Sequence, residues 1–218
     1  MKAMIKKIKS RVMHASRESK LDHFYSLYSG GKVLDVGVSG STTMSAGNLF
    51  LNTFRAADEM YVGLGIMDLS EQKKKYPGRS FVQYAGGRFP FADNEFEWVF
   101  SNAVVEHVGL DDDQLGFVNE MIRVSRYVFF TTPNKYFPVE AHTNLPFLHW
   151  NNRLFYNWCR KNRPWTTKEN LYLFSYRRLK ALMDKSIAGE YKIYRNQPAF
   201  WPMTFTVVCA RDGSAGDQ

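Results

Sequence analysis

The sequence predicts a single α/β domain built on a mostly parallel β-sheet. Five short apolar segments, each followed by a turn or a helical stretch, indicate parallel strands joined by right-handed crossovers. Two further segments near the carboxyl end are joined by a short connection, which suits an antiparallel pair. A chain of 218 residues is long enough for one such domain and for a cap over its active site.

The elements follow from the spacing of apolar residues and from turn residues. The seven predicted strands cover residues 32–36, 60–66, 80–85, 97–102, 127–132, 190–195 and 204–211. The predicted helices cover residues 1–20, 21–28, a stretch ending near Phe54, 70–75, 111–126 and 176–185. The helix at 111–126 begins with three aspartates, which are favourable at the positive end of a helix dipole.

Two segments depart from the regular alternation of strands and helices. Residues 135–167 are rich in Pro, Asn, His and Trp, and we expect them to form an inserted cap over the edge of the sheet. Residues 212–218 are a polar tail. We therefore divide the chain into a basic helix over 1–20, a domain over 21–211 and this tail.

The net charge of +8 is concentrated at the amino terminus. Residues 1–20 hold seven Lys or Arg and one acid, Glu18, so they carry +6 and leave +2 for the rest. Their apolar residues Met1, Met4, Ile5, Ile8 and Val12 fall at helical spacing. Such a helix either packs its apolar stripe on the domain or lies on an anionic membrane surface. Nucleic acid is not an expected partner, because no basic-aromatic motif accompanies the charge.

The remaining composition excludes several classes. The two cysteines, Cys159 and Cys209, have neither metal-binding nor redox spacing, and a reduced cytoplasmic setting is expected. No apolar run approaches the roughly 20 residues that a membrane-spanning helix needs. His107, His142 and His149 lack the tight spacing of a metal motif, so no metal is predicted.

Acidic and small residues follow the first three predicted strands. Ligands of parallel α/β sheets bind beyond the carboxyl ends of the strands. Asp35 ends the first strand, where a buried acid needs a partner such as an ammonium group. Asp68 follows the second strand and is suited either to the hydroxyls of a ribose or to capping the next helix. Gly86 and Gly87 follow the third strand and leave room for a flat ring.

Four segments together resemble a known family. The segments are VLDVGVSGS, YVGLGIMDLS, RFPFADNEFEWVFSNAVVEHVG and TTPNKYFPVEAHTNLPFLHW. They are similar to the methyltransferase type 11 group of class I methyltransferases over about residues 31–150. The resemblance implies a Rossmann-like, seven-stranded, mostly parallel sheet with an antiparallel last strand and helices on both faces.

The same resemblance implies S-adenosyl-L-methionine as the cofactor and assigns residues to it. Asp35, Gly37, Val38 and Ser39 would hold the methionine part. Asp68 and Leu69 would meet the ribose, and Gly86 and Gly87 the adenine. Asn102, Ala103 and Val104 would line the sulfonium. The usual Gly-x-Gly-x-Gly pattern here reads Gly37-x-Ser39-x-Ser41, with Gly40 displaced.

The candidate catalytic residues are His107, Glu140 and His142, which follow strand ends or lie in the cap. A histidine accepts a proton near neutral pH, and methyl transfer needs alignment and sometimes proton removal. Each of the three also suits a structural hydrogen bond within a loop. The expected acceptor is a small or glycan-linked molecule. The alternatives are a non-catalytic cofactor-binding module and a nicotinamide-dependent oxidoreductase.

Overall fold

The computed structural model describes residues 2–41, 48–197 and 201–211, with side chains described from residue 15 onwards. Its strands are β1 (Val33–Val36), β2 (Tyr61–Gly65), β3 (Ser80–Gln83), β4 (Phe96–Asn102), β5 (Ser125–Pro133), β6 (Ala188–Asn196) and β7 (Thr204–Arg211). Its α-helices are α1 (Lys2–Leu27), α2 (Leu49–Asn52), α3 (Ser70–Lys75), α4 (Asp111–Val124), α5 (Asn152–Asn162) and α6 (Tyr176–Met183). Three single-turn 3₁₀ helices occupy Asp58–Met60, Val105–His107 and Leu148–Trp150.

The seven strands form one sheet in the order β3-β2-β1-β4-β5-β7-β6. Strands β1 to β5 pair in parallel, and β7 pairs antiparallel with both β5 and β6. Six strands therefore run in one direction and the last strand runs against them, which confirms the predicted fold class. The chain order reverses between β1 and β4, so the carboxyl ends of these two strands border the crevice where ligands of such sheets bind.

A core layer covers each face of the sheet, because side chains alternate along the strands. On one face, Leu34 and Val36 pack with residues of α4 and α6. On the other face, Val33 packs with residues of α1 and α2. Phe24 of α1 is fully buried there and makes edge-to-face contacts with Phe100 and Phe129. The helices on both faces are thus held by apolar contacts with the sheet.

The amino-terminal segment forms one helix, so the prediction of two helices meeting after residue 20 is wrong. Helix α1 runs without interruption over Lys2–Leu27, and this stretch contains neither glycine nor proline. Lys20 and Leu21, on the two sides of the expected boundary, are both buried. The predicted apolar stripe from Met1 to Val12 lies outside the described side chains.

The other differences concern the ends of elements and the cap. The helix expected to end near Phe54 is described only as α2, and residues 42–47 lie outside the described residues. The cap region contains α5 and the turn Leu148–Trp150, with Phe155 and Cys159 in a small core of their own. The polar tail at 212–218 is outside the described residues. No described helix has both the length and the apolar character needed to span a bilayer.

Candidate functional site

The turn after β1 is held against the end of β2 by backbone contacts. The amides of Gly37 and Val38 both donate to the carbonyl of Leu64, at 2.9 and 3.0 Å. Gly40 has no room for a side chain, because a Cβ there would lie 2.2 Å from the carbonyl oxygen of Asp68. The displaced glycine of the sequence motif is therefore required by packing.

Asn48 fixes the same turn from the far side of the loop. Its side chain accepts a hydrogen bond from the Ser39 amide at 2.9 Å and donates to the Ser39 carbonyl at 2.8 Å. Gln72 of α3 donates to the same carbonyl at 3.1 Å. Ser39 is thus held through its backbone, and its hydroxyl accepts a hydrogen bond from the Ser41 amide at 3.2 Å.

Replacing Gly37 by alanine should damage both stability and cofactor binding. Gly37 has φ of +101°, and a Cβ there would lie 2.3 Å from Cγ2 of Val104. Backbone strain of this kind costs on the order of 1–3 kcal/mol, and Val104 must also move. We expect a lower melting temperature and at least about tenfold weaker binding of S-adenosylhomocysteine, measured by calorimetry.

Gly116→Ala is the matched control. Gly116 lies inside α4, has nothing within 4 Å of the added Cβ, and should become more stable by about 0.5–1 kcal/mol. Unchanged affinity in Gly37→Ala would show that this turn does not approach the cofactor.

Asp35 is a buried acid at the carboxyl end of β1. Its side chain accepts a hydrogen bond from the hydroxyl of Tyr61 at 2.5 Å. Burial raises the pKa of Asp35 to about 7, and the hydrogen bond from Tyr61 opposes this shift in part. An anionic Asp35 is therefore costly in this position unless a cation is bound next to it.

A cavity lies between α1 and the carboxyl ends of β1 and β4. Asp35, Gly37 and Asn102 line it, together with Phe50 and with Arg17 and Lys20 of α1. Nζ of Lys20 donates to Oδ1 of Asn102 at 3.0 Å. Burial and the charge of Arg17 together lower the pKa of Lys20 to about 8, although the charge of Glu106 opposes the shift. The cavity thus contains one acidic and two basic side chains.

The exit of β4 is strained and held by β5. Ala103 has φ of +58°, which is uncommon for a residue other than glycine, and its amide donates to the carbonyl of Thr131 at 2.9 Å. Oδ1 of Asn102 accepts a second hydrogen bond from the hydroxyl of Thr131 at 2.7 Å. Val104 is placed against Gly37. The three residues predicted to line the sulfonium therefore lie next to the turn after β1.

The other predicted cofactor residues lie along the same sheet edge but do not line this cavity. The Asp68 carboxylate accepts hydrogen bonds from the amide and the hydroxyl of Ser70, both at 2.9 Å, and its pKa is lowered by them. The side chains of Leu69 and Val38 are buried in the core, the Val38 amide donates to the Leu64 carbonyl, and the Leu69 carbonyl accepts from the Lys73 amide. Gly86 and Gly87 are exposed, with positive φ and no atoms within 4 Å of an added Cβ.

The three predicted catalytic residues come together in one hydrogen-bonded cluster. Nε2 of His107 and Nε2 of His142 are 3.1 Å apart. Nδ1 of His142 is 2.7 Å from Oε1 of Glu140, and Nδ1 of His107 is 2.8 Å from the carbonyl oxygen of Asn170. The sequence spacing of Glu140 and His142 suggested a shared role, whereas the contact with His107 depends on how the cap folds back.

The charges in this cluster favour an anionic Glu140 beside a cationic His142. Burial raises the pKa of Glu140, but hydrogen bonds from His142 and Thr143 outweigh it and lower the pKa to about 2. Burial lowers the pKa of His142, but the hydrogen bond to Glu140 and the charges of Glu140 and Glu106 outweigh it and raise that pKa. Glu140 therefore stabilises the protonated form of His142.

Comparison with known proteins finds a match for part of the chain. The family model for the methyltransferase domain matches residues 34–127, which include β1 from Leu34 onwards, β2 to β4 and the cavity residues of the sheet. This segment is therefore similar to a methyltransferase domain. Curated relatives add little, since two uncharacterized Mycobacterium tuberculosis proteins are 34% identical over 55 residues, a quarter of this chain. The match spans about a fifth (19%) of the length of each relative.

Several solved structures share the fold of this chain. An S-adenosylmethionine-dependent methyltransferase of Thermotoga maritima has a TM-score of 0.59 and 14% identity, covering 95% of this chain and 96% of that chain. One from Methanosarcina mazei has a TM-score of 0.54 and 14% identity, with 88% and 96% covered. The CurJ carbon methyltransferase has a TM-score of 0.53 and 11% identity, with 83% and 48% covered.

The family match and the fold imply S-adenosyl-L-methionine as the cofactor, and the chemistry of the cavity is compatible with one end of that molecule. The amino-acid end of S-adenosyl-L-methionine carries an ammonium and a carboxylate. The buried Asp35 side chain is an acceptor suited to an ammonium, and Arg17 and Lys20 line the same cavity. The positive φ of Gly37 sets the path of the turn beside this cavity.

Sequence reasoning missed three residues of the site: Arg17, Lys20 and Glu106. Arg17 and Lys20 were counted within the basic segment, and a lysine next to the apolar Leu21 was the available signal. Glu106 was quoted in a motif without a role. An acid directly before a histidine at a strand exit was the signal there, and the side chain is fully buried.

Proposed function

We propose that this protein is a methyltransferase, which transfers a methyl group from S-adenosylmethionine to an oxygen or nitrogen atom of a small-molecule acceptor or of a glycan- or lipid-linked one. The cluster of His107, His142 and Glu140 carries the proposal. It follows the exit of β4, where the cofactor's sulfonium is expected. Hydroxyl and amine acceptors lose a proton during methylation, and an imidazole pair is suited to receive it.

The cofactor supplies an activated methyl group, and the chain supplies alignment and a place for the proton. The acceptor atom forms a bond to the methyl carbon as the bond from that carbon to sulfur breaks, leaving S-adenosylhomocysteine. When the histidine pair is neutral, one Nε2 takes up the proton, and Glu140 stabilises the resulting charge through Nδ1 of His142. Alignment of acceptor, methyl group and sulfur supplies the rest of the acceleration.

Each predicted cofactor contact is part of this proposal. Asp35 binds the ammonium, while Arg17 and Lys20 bind the carboxylate. Asp68 exchanges its hydrogen bonds to Ser70 for the ribose hydroxyls. The remaining contacts with the cofactor are made by the turn after β1, the segments after β2 and β3, and the exit of β4. The residues are Gly37, Val38, Ser39, Leu69, Gly86, Gly87, Asn102, Ala103 and Val104.

Exposed aromatic rings of the cap and of the β6–β7 connection support a ring-shaped acceptor. Tyr136, Phe147 and Trp201 are each about half exposed and lie around Trp150, at centroid distances of 6.1, 5.1 and 6.2 Å. Trp150 and Trp201 are stacked with an interplanar angle of 27°. This aromatic cluster follows the ends of β5 and precedes β7, so it borders the same sheet edge as the site. Faces of sugars or other rings bind such surfaces.

The proposal is tested by following label from methyl-labelled cofactor into fractionated cell extract. We expect the label in an oxygen- or nitrogen-linked methyl group of a small or glycan-linked molecule. Label on a carbon atom, or none in any fraction despite tight cofactor binding, would contradict it. Once an acceptor is known, Trp201→Ala should raise its KM about tenfold with little change in kcat, whereas Trp165→Ala outside the cluster should change neither.

We further propose a cytoplasmic enzyme that contacts the inner membrane face through its basic helix. The charge of +6 in residues 1–20 supports this. Removing α1 would disturb the core, because the end of this helix is buried against the sheet. Reversing the charge of Lys6, Lys7 and Lys9 is therefore a better test. The variant should sediment less with anionic vesicles than the parent protein, and equal sedimentation would rule the contact out.

A further inference from the structure

We infer that Glu106, His107 and His142 form a binding site for a first-row divalent transition-metal ion. One nitrogen from each histidine and one carboxylate oxygen of Glu106 lie within 4.8 Å of one another. Two histidines and one carboxylate form a ligand set that zinc and iron use in proteins. Three arguments from the described contacts support the inference.

The first argument concerns the protons of the two imidazoles. Nδ1 of His142 faces a Glu140 carboxylate oxygen, and Nδ1 of His107 faces a backbone carbonyl. Neither partner can donate a hydrogen bond, so both Nδ1 atoms must carry the proton. Both Nε2 atoms then present lone pairs to each other at 3.1 Å. This contact is repulsive unless a proton or a metal ion lies between the two nitrogens.

The second argument concerns Glu106, because its surroundings distinguish a bound metal ion from a proton shared by the two histidines. Its side chain is fully buried, and Oε2 accepts a hydrogen bond from Thr132 at 3.0 Å. Oε1 has no hydrogen-bond partner in the part of the chain that the structure describes. A proton shared by the two histidines leaves this buried oxygen unpaired, which is costly. A metal ion bound by both nitrogens would also place a cation close to the Glu106 carboxylate.

The third argument is geometric. Zinc binds histidine nitrogen at about 2.0–2.1 Å, so two nitrogens on one ion are about 2.9 Å apart at a right angle and about 3.4 Å apart at the tetrahedral angle. The observed 3.1 Å lies between these limits. The hydrogen bonds at Nδ1 also match metal-bound histidines, whose second nitrogen usually donates to a carboxylate or a carbonyl.

A bound ion would restrict the acceptors that the enzyme can use. This conclusion rests on the proposed function. Three protein ligands leave coordination positions open. An acceptor hydroxyl bound there would lose its proton to solvent more readily, because the ion lowers the pKa of a bound oxygen. In the metal-bound enzyme the histidines are ligands, and the preferred acceptor is then a hydroxyl group.

The test uses the full-length protein after chelator treatment, titrated with Co²⁺ as a visible probe and with Zn²⁺ in calorimetry. We expect one ion per chain and cobalt absorption bands. His107→Ala, His142→Ala and Glu106→Gln should each weaken binding at least about 100-fold. Glu140→Gln should weaken it about 10- to 100-fold, because Glu140 orients a ligand. His23→Ala is the control, since His23 contacts Phe129 and Tyr194 instead.

Binding that is absent, or that survives all three ligand substitutions, would overturn the inference. Circular dichroism and S-adenosylhomocysteine titration of each variant show whether it is folded and binds cofactor. Loss of metal with normal cofactor binding supports the metal site on its own. Metal binding in a protein that transfers no methyl group would contradict the proposed function and leave the site intact.

Discussion

Asp35→Asn is expected to stabilise the ligand-free protein at pH 8 and to weaken its binding of S-adenosylmethionine. The pKa of Asp35 is about 7 in the folded chain and about 3.9 when unfolded. Between these values the folded state binds more protons, so the free energy of unfolding falls as pH rises, and the loss is complete above pH 7. The full penalty is on the order of 4 kcal/mol. Asparagine avoids this penalty because its side chain carries no charge, and its side-chain oxygen still accepts the hydrogen bond from Tyr61.

Urea unfolding at pH 4 and pH 8 measures the first effect, and calorimetry with the cofactor measures the second. The variant should gain little at pH 4 and most at pH 8, and its cofactor affinity should fall at least about tenfold because the ammonium loses its charge partner. Asp68→Asn is the control for stability, because Asp68 is exposed and its pKa is shifted downwards. A destabilised Asp35→Asn protein at pH 8 would show that Asp35 is stabilised by its surroundings.

His142→Ala should lower kcat by about 100- to 10,000-fold, the range expected when a group acting on the acceptor's proton is lost. His142 is the centre of the cluster, with Glu140 on one nitrogen and His107 on the other. Steady-state rates with the identified acceptor measure the effect. Affinity for S-adenosylhomocysteine should stay within about threefold, since His142 does not line the cofactor cavity.

His142→Gln and His23→Ala complete this experiment. Glutamine keeps a polar side chain but neither accepts a proton near neutral pH nor binds metal well, so its kcat should be as low as that of alanine. His23→Ala should keep the parent rate. A parent-like kcat in His142→Ala would assign the cluster to holding the cap in place.

The central strands of the sheet could be predicted from the sequence because they are buried on both faces. Segments such as Val33–Val36 and Tyr61–Gly65 therefore read as apolar runs ended by glycine or acid. Strand positions were correct to within a few residues at each end. The continuous helix α1 was missed because polar and basic residues before Lys20 suggested a separate surface helix. The burial of the last turns of α1 depends on packing against the sheet, which the local sequence does not show.

The site was predictable where it follows directly from strand ends, as with Asp35, Gly37 and Asn102. It was not predictable where distant segments meet. The contact of His107 with His142 joins residues 35 positions apart. The hydrogen bond from Lys20 to Asn102 joins residues 82 positions apart. Such pairs are set by tertiary packing, which periodicity and motif spacing do not report.

The segment that matches the family model is shorter than the segment that folds as one cooperative unit. The match begins at residue 34, yet Phe24 is fully buried among rings of β4 and β5, and Lys20 and Leu21 line the cavity. A chain cut to the matched segment would lose a large apolar side chain from the core, at a cost of about 3–5 kcal/mol for the phenylalanine alone. The amino-terminal helix thus belongs to the same thermodynamic unit as the sheet it covers.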